Sequence, residues 1–330
     1  MMGTAAERST VTAADGSAAV RAVFFGSGSF AVPILDALAV MPGVRVEAVV
    51  SAPDRPVGRK AIVAPTPVTA RARQLGLPVL QPVRVRLPES VEALQDLAPE
   101  LIVLADYGQL IPRVLLDLPA RGFLNLHPSA LPRHRGAAPI PATILAGDTE
   151  SAVTLMVVTE EMDAGPIVAS ERLDVRPDDT AVTLGARAAV LAAGLLRRAL
   201  PEWLAGRLEA RPQPTDGVTM TRPLRREDGR LDPGRSAVEL ERQVRAYQPW
   251  PGSFIQSIKT RDQRLIVWEA HTSPSESGDE DRVGGFVTSS DKRLVLVTSD
   301  GRLVLDKLQA AGGREMEAEE FLRGHPDLAR

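Results

Sequence analysis

Three polar side chains in this 330-residue chain have types and spacings suited to acyl transfer. Asn125 and His127 stand two residues apart in an apolar run, so on an extended strand they point to the same side. Pro128 disfavours a helix at His127 and keeps it at the end of that strand, where open α/β sheets bind their ligands. An amide donates neutral hydrogen bonds, and an imidazole exchanges protons near neutral pH.

Asp163 follows the next apolar run, in a turn that contains glycine. Taken alone, an Asp-x-Gly sequence is typical of a structural turn. Together with Asn125 and His127, however, its carboxylate could orient the imidazole and stabilise its charged form. The chain has no cysteine, and no serine or lysine is placed as an obvious covalent nucleophile. The three residues therefore predict direct attack by a substrate amine, with the amide binding the oxyanion and neither a metal nor a nucleotide cofactor required.

A glycine-rich turn, Gly26-Ser27-Gly28, follows the first predicted strand and fits the permissive dinucleotide-binding pattern. Glu47 lies near the acidic position of that pattern, but inside its strand rather than at the strand's end. The bulky Phe30 also stands where the helix begins. An NAD(P)-dependent oxidoreductase therefore stays open as an alternative, and so does a purely structural βα turn.

Charge and composition exclude several classes of protein. The net charge of −3 excludes a uniformly basic polyanion binder, and the lack of cysteine excludes disulfides and thiolate metal sites. No apolar run approaches the roughly 18 residues that a membrane-spanning helix needs. Basic side chains nevertheless cluster, because residues 55–88 hold seven and residues 118–147 hold three, without an acid in either window. These windows favour an anionic partner, although solvated surfaces would also explain them.

Short apolar strands and helices alternate from Arg21 onward and position the polar residues. Strands are expected at 22–25, 44–50, Leu101–Ala105, Phe123–Leu126 and Ala152–Val158, and helices near 30–40, 67–75, 89–97, 138–146 and 179–200. This alternation predicts a Rossmann-like, open and mostly parallel sheet with right-handed crossovers. The apolar residues expected on one, buried face of the last helix are Val182, Ala186, Ala189, Val190, Ala193 and Leu196.

Changes in composition predict the domain boundaries. Residues 1–20 predict a disordered tail, residues 21–206 the α/β domain, and the proline-rich residues 207–227 a linker. Residues 228–330 contain short β-like runs separated by Gly, Asp and Ser, which predict a smaller, OB-like β-barrel domain.

Several motifs of the chain resemble, in the same order, those of the methionyl-tRNA formyltransferases. The matching segments are FGSGSFAVPIL, APDRPVGR with PTPV, LADYGQLIP, NLHPSALPRHRGAAPI, EMDAGPIV and RAYQPWPGSF. The N-x-H and D-x-G elements are similar to those of the wider folate-dependent formyltransferase superfamily, whereas PDRPVGR with PTPV is more specific to the tRNA enzymes. The chain departs from the pattern at Ala130, where leucine is usual, at Asp106, where an apolar residue is usual, and in GRKAIV, which has lost a glycine and a lysine.

The resemblance implies an enzyme that moves the formyl group of 10-formyltetrahydrofolate to the α-amino group of methionyl initiator tRNA, with Asn125, His127 and Asp163 as its catalytic trio. The implied folate-site residues are Leu104, Ala105, Tyr107, Gly108, Ser129, Ala130, Leu131 and Pro132. The implied tRNA-contacting residues are Arg55, Gly58, Arg59 and Lys60, with the C-terminal barrel as a second tRNA contact. Folate would be a co-substrate rather than a tightly bound cofactor, and we expect a cytoplasmic monomer that binds neither metal nor membrane.

Two further alternatives remain open. A formyltransferase acting on a sugar-nucleotide amine would share the trio and the first domain, but it would not need the basic window at 55–88 or the C-terminal barrel. A non-catalytic RNA-binding module would have no use for the trio. Within the basic window Arg59 is expected to matter most for RNA, and Arg302, in the acidic C-terminal half, is expected to serve as a neutral comparison.

Overall fold

The computed structural model describes residues 19–57, 62–256, 264–279, 282–289, 292–325 and 328. Its elements up to residue 204 are, in chain order, β1 Val20–Gly26, α1 Val32–Ala39, β2 Val44–Val50, β3 Arg55–Val57, β4 Ile62–Ala64, α2 Pro67–Gln74, β5 Val79–Leu80, α3 Pro88–Asp96, β6 Leu101–Ala105, α4 Arg113–Leu116, β7 Phe123–His127, β8 Arg135–Gly136, α5 Pro139–Ala146, β9 Glu150–Val157, β10 Ile167–Asp174 and α6 Ala181–Leu204. The remaining elements are β11 Met220–Thr221, α7 Ala237–Ala246, β12 Ser253–Gln256, β13 Arg264–Ser273, β14 Phe286–Thr288, β15 Leu294–Val297, β16 Arg302–Ala310, β17 Glu315–Glu317 and α8 Ala318–Gly324.

The chain divides into two compact units. The first consists of Met1–Arg135, Ser151–Leu173 and Gly185–Met220, and the second of Gly136–Glu150, Asp174–Leu184 and Thr221–Arg330. Residues 207–220, where the composition predicts a linker, pack with the first unit. Among the residues that the structure describes, no helix combines the length and the apolar character needed to cross a membrane.

A seven-stranded sheet with the order β10-β9-β7-β6-β1-β2-β5 forms the centre of the first unit. β1 pairs in parallel with both β2 and β6, and β6 pairs in parallel with β7. β9 runs antiparallel to β7. Every residue of β6 and β7 is buried, which is the pattern of parallel strands covered on both faces. The predicted, mostly parallel α/β sheet is therefore confirmed.

Prolines mark the starts of three predicted helices. α2, α3 and α5 each begin with a proline, whose missing N–H costs nothing in the first turn of a helix. The Thr66 hydroxyl also caps α2, because it accepts a hydrogen bond from the Thr69 N–H at 3.0 Å. All three helices lie within two residues of their predicted positions.

Two apolar cores hold the sheet in the first unit. On one side Leu35 of α1 and Leu196 of α6 pack in the same cluster of buried residues. A second cluster joins Leu94 of α3 to strand residues that include Phe25. The predicted buried face of α6 was partly wrong, since Val182 and Val190 are 52% and 69% exposed. Ala189, Ala193 and Leu196 of the predicted face are buried, and Leu184, Leu195 and Leu200 extend the buried stripe.

The second unit is antiparallel and rich in β-strands, as the sequence predicted. Its six-stranded sheet has the order β12-β13-β16-β15-β14, with β17 paired to β16. Leu240 and Val244 of α7 share a core with these strands. The helix begins with a capping box, in which Glu239 accepts from the Ser236 N–H at 3.0 Å and the Ser236 hydroxyl accepts from the Glu239 N–H. The expectation for Arg302 was wrong, because it is 5% exposed and forms a two-bond ion pair with Asp279.

Candidate functional site

Asn125 lies in the middle of β7 and His127 at its carboxyl end, in the interior of the sheet. Asn125 pairs with Leu104 of β6 on one side and with Met156 of β9 on the other. The two polar residues are only 7% and 5% exposed. Neighbouring strands therefore fix the backbone at both residues, and their polar side chains need partners inside the protein.

Asp163 supplies those partners from the turn between β9 and β10. The Asn125 Nδ2 donates to the Asp163 Oδ1 at 3.2 Å, and the His127 Nδ1 lies 3.6 Å from the Asp163 Oδ2. Asp163 has a φ of +50°, which Asp tolerates better than most residues. The turn also requires Gly165, where a Cβ would lie 1.8 Å from the Val157 carbonyl oxygen. The structure thus brings the three predicted side chains together.

A second contact orients the His127 ring. The His127 Nε2 lies 2.9 Å from the His134 carbonyl oxygen. Because a carbonyl oxygen only accepts, Nε2 must carry the proton in the neutral ring. Nδ1 then keeps its lone pair, and the 3.6 Å to the Asp163 carboxylate is longer than a hydrogen bond. Nδ1 is therefore the ring nitrogen that can take up a proton, next to a carboxylate that stabilises the resulting imidazolium.

The loop after His127 is held by hydrogen bonds within the loop and from β9. The Ser129 hydroxyl donates to the Arg133 carbonyl oxygen at 2.7 Å, and Ser129 is completely buried. The Thr154 hydroxyl donates to the Ser129 carbonyl oxygen at 2.8 Å. Of the predicted folate-site residues in this loop, Leu131 and Pro132 are buried and Ala130 is half-buried. The loop is thus held by hydrogen bonds at Ser129, two residues after His127.

The other predicted folate-site residues lie at the end of β6. Leu104 and Ala105 are buried inside the strand, whereas Gly108 is exposed, with open space where a Cβ would lie. The Tyr107 ring packs edge-on against Phe25, with ring centroids 5.2 Å apart. Burial raises the pKa of Tyr107 to about 12, so the phenol stays protonated at neutral pH and is unsuited to act as a base.

The glycine-rich turn is occupied by a side chain of the protein itself. A Cβ added to Gly28 would lie 1.7 Å from a carboxylate oxygen of Asp106. Asp106 has a φ of +51°, and its carbonyl oxygen accepts from the Ser27 N–H at 3.0 Å. A dinucleotide pyrophosphate at this turn would therefore meet a carboxylate, which argues against the nicotinamide alternative.

The basic window at 55–88 is partly neutralised in the folded chain. Arg71 pairs with Asp36 at 2.6 Å, and Arg73 lies 3.4 Å from Asp54. Both acids precede the acid-free window in the sequence, so a count of charges within the window overstated its positive charge. Arg55 is exposed at the start of the β3–β4 hairpin. Three residues of the predicted tRNA loop, Gly58, Arg59 and Lys60, lie outside the described residues.

Sequence reasoning missed three residues that support the site. The first is His134, whose carbonyl oxygen binds His127 and whose N–H donates to the Thr219 hydroxyl at 2.7 Å. The others are Thr219 itself and Gln213, which donates to the carbonyl oxygens of Asp163 and Gly165 at 2.8 Å each. Both lie in the stretch that the composition predicts to be a linker. Their one signal in the sequence is the placing of Gln213 between two prolines.

Comparisons with known proteins agree over most of the chain. A family model described as "Formyl transferase" matches residues 20–200, and one described as "Formyl transferase, C-terminal domain" matches residues 223–326. A methionyl-tRNA formyltransferase of Myxococcus xanthus is 41% identical over 305 residues, which are 92% of this chain and 95% of the relative. One of Halorhodospira halophila is 43% identical over 306 residues, which are 93% and 96%.

A solved structure supports the fold. An N-formyltransferase of Helicobacter canadensis, solved with folinic acid and dTDP-3-aminofucose, aligns with a TM-score of 0.61. The alignment covers 87% of this chain and 98% of that one, at 14% identity. At that identity the likeness concerns the fold alone.

Proposed function

The chain belongs to the methionyl-tRNA formyltransferase family, and we propose that Asn125, His127 and Asp163 carry out the family's reaction. The enzyme transfers the formyl group of 10-formyltetrahydrofolate, a co-substrate, to the α-amino group of methionyl initiator tRNA. One observation carries the proposed roles. The Asp163 carboxylate, which is partly buried, contacts an amide donor and lies beside an imidazole nitrogen at once.

The reaction needs one proton acceptor and one oxyanion donor. The methionine amine attacks the formyl carbon, and the carbonyl oxygen becomes an oxyanion. One N–H of the Asn125 amide donates to Asp163, which leaves the second N–H of the same amide for that oxyanion. The His127 Nδ1 takes the proton from the attacking amine, and Asp163 stabilises the imidazolium. The tetrahedral intermediate then re-forms the carbonyl and expels the folate nitrogen, which receives that proton from the His127 imidazolium as it leaves.

We also propose that the folate lies between the end of β6 and the loop after β7. The predicted residues on one side are Leu104, Ala105, Tyr107 and Gly108, and those on the other are Ser129, Ala130, Leu131 and Pro132. This proposal is supported by the register that pairs Leu104 with Asn125, because it sets the end of β6 beside the catalytic strand. Residues whose side chains are buried in the strand, such as Ala105, would contact the folate through their backbone atoms.

The tRNA contact is proposed for the loop that carries Arg55, Gly58, Arg59 and Lys60. The proposal is supported by the exposure of Arg55 and by the hairpin on which that residue lies. We propose residues 21–206 as the catalytic domain and residues 228–330 as the tRNA-contacting domain, joined by 207–227. The two family matches, over 20–200 and 223–326, support that division.

The nearest alternative, a sugar-nucleotide formyltransferase, is disfavoured by sequence identity. Relatives above 40% identity over more than nine-tenths of the chain are methionyl-tRNA formyltransferases. We propose that the protein acts as a monomer in the cytoplasm; the location is supported by its relatives, which are methionyl-tRNA formyltransferases.

A direct assay tests the proposed function. The protein is incubated with charged initiator tRNA and 10-formyltetrahydrofolate, and formylmethionine is detected by mass spectrometry after the aminoacyl ester is hydrolysed. We expect formylation by the wild type and its near loss in Asp163→Asn. Formylation of an amino sugar nucleotide in place of the tRNA would contradict the proposed substrate, and full activity of the variant would contradict the proposed site.

A further inference from the structure

Gln213 uses its whole carboxamide to join two loops of the first unit. Its Oε1 accepts from the Arg135 Nε at 3.0 Å and from the Arg135 Nη2 at 2.7 Å. Its Nε2 donates to the carbonyl oxygens of Asp163 and Gly165, both at 2.8 Å. The guanidinium only donates and the two carbonyl oxygens only accept, so these partners permit one orientation of the amide.

The chain around Gln213 is built to present this side chain. Arg211 forms an antiparallel backbone bridge with Ile167, with hydrogen bonds of 2.7 and 2.8 Å. Pro212 fixes its own φ, and Pro214 restricts Gln213 to extended conformations. The bridge therefore anchors the segment two residues before Gln213, and the prolines limit where its side chain can reach.

The two carbonyl groups that Gln213 binds belong to the turn between β9 and β10, at Asp163 and at Gly165. Asp163 has a φ of +50°, a left-handed conformation that costs a non-glycine residue free energy, although Asp tolerates it better than most. Gly165 lies against the Val157 carbonyl on the other side of the turn. Gln213 thus fixes the backbone at Asp163 and two residues later.

We propose that Gln213 is a positioning residue for the formyl transfer, which holds the Asp163 carboxylate at its distance from the His127 Nδ1. The proposal rests on the function proposed for Asp163. Gln213 itself has all its polar atoms bonded to protein groups, so it acts through the turn and not on the substrates. A shift of about 1 Å at a reacting group can cost up to roughly 100-fold in rate.

Gln213→Glu is the sharpest perturbation. Glutamate has nearly the same shape and keeps an acceptor for Arg135, but it replaces the two N–H donors with an oxygen facing two carbonyl oxygens. We expect a melting temperature within a few degrees of the wild type and a kcat lowered about 10- to 100-fold, with the KM for both substrates changed less than about threefold. If this variant does not fold, Gln213→Met removes the same donors without adding a charge.

The second unit offers a matched control. Gln243 donates to the carbonyl oxygens of Asp228 and Arg230 and accepts from the Arg235 guanidinium at 3.1 Å. Gln243→Glu therefore breaks hydrogen bonds of the same kind, from one amide to two carbonyl oxygens, at a place where the Asp163 turn is not involved. We expect it to lower the melting temperature at least as much as the change at Gln213 and to leave kcat within about threefold. An equal loss of kcat in both variants would reduce Gln213 to a general structural role.

A double-mutant cycle decides whether Gln213 acts through Asp163. In the Asp163→Asn background, Gln213→Glu should lower kcat by less than about threefold, because the carboxylate that it positions is already gone. An undiminished effect there, or a wild-type kcat for Gln213→Glu alone, would overturn the proposal. The cycle also separates the two hypotheses, because a wild-type kcat for Asp163→Asn alone would instead refute the proposed function.

Discussion

Replacing Asp163 with asparagine removes one charge from the site with little change of shape. Asparagine tolerates the left-handed backbone conformation as well as aspartate does, so the turn should survive. The new Oδ1 can still accept from the Asn125 amide, as the Asp163 Oδ1 does at 3.2 Å. The new Nδ2 faces the His127 Nδ1 and can donate to its lone pair, which occupies the proposed base. The substitution therefore acts on the proton transfer while the architecture of the site stays intact.

The geometry sets the size of the expected effect. A full charge 3.6 Å from a protonated imidazole is worth about 4–5 kcal/mol at an effective dielectric constant of about 20. At 1.36 kcal/mol for each factor of ten, that limit corresponds to roughly 10³-fold in rate. Proton transfer is incomplete in the transition state, so we expect kcat to fall about 10²- to 10³-fold, within the range that general acid–base catalysis supplies.

Single-turnover formylation measures this effect without interference from product release. Enzyme in excess is mixed with charged initiator tRNA and 10-formyltetrahydrofolate, quenched at intervals, and the formylated fraction is counted. Asp96→Asn, an exposed change of the same kind in α3, is the control and should react at the wild-type rate. A rate for Asp163→Asn within about threefold of the wild type would refute the reasoning and leave Asp163 as a turn residue.

Three further predictions concern the oxyanion, the tRNA and the second unit. We expect Asn125→Ala to lower turnover about 10²- to 10³-fold with little change in folate affinity; weaker folate binding with intact turnover would make it a ground-state ligand. Arg59→Ala should raise the KM for tRNA and reduce the slope of log affinity against log salt by about one unit, whereas Arg207→Ala, from an exposed ion pair, should change neither. Arg302→Ala should lower the free energy of unfolding by about 3–5 kcal/mol in urea titrations, because it leaves the buried Asp279 carboxylate unpaired; a loss below about 1 kcal/mol would contradict this. The hydrogen bond from Arg302 lowers the pKa of Asp279, so the pair's contribution is complete above the ordinary aspartate pKa and is lost as the pH falls through the lowered one.

The meeting of Asn125, His127 and Asp163 could be predicted in part because strand geometry is local. Two residues with a spacing of two share one face of any strand, and the proline after His127 ends the strand there. β7 does extend to His127, and both of the predicted polar side chains reach Asp163. The turn at Asp163 was predicted as a turn, but its position beside β7 depends on the antiparallel pairing of β7 with β9, which no local pattern specifies.

Long-range pairing explains what sequence reasoning missed. The hydrogen bonds of Gln213 span 48 to 78 positions in the chain, and a proline-rich composition gives no sign of them. Charge was misjudged for the same reason. Arg71 forms an ion pair with Asp36, and Arg302 forms one with Asp279. Because such partners can be distant in the sequence, the net charge of a sequence window does not give the electrostatic potential at the protein surface.

The site divides the support of its histidine between two groups. The backbone carbonyl of His134 holds the Nε2 proton and fixes the tautomer, so Asp163 is not needed for that task. In the proposed mechanism the carboxylate has two other tasks. One oxygen stabilises the charged form of the imidazole, and the other accepts a hydrogen bond from the Asn125 amide. In that mechanism one carboxylate thus couples the proton acceptor to the oxyanion donor, and a displacement of the turn would misplace both. Gln213 holds the backbone of Asp163 from a distant segment of the chain. If Gln213 acts through this carboxylate, as proposed, the effects on kcat of losing the carboxylate and of losing Gln213 should not add.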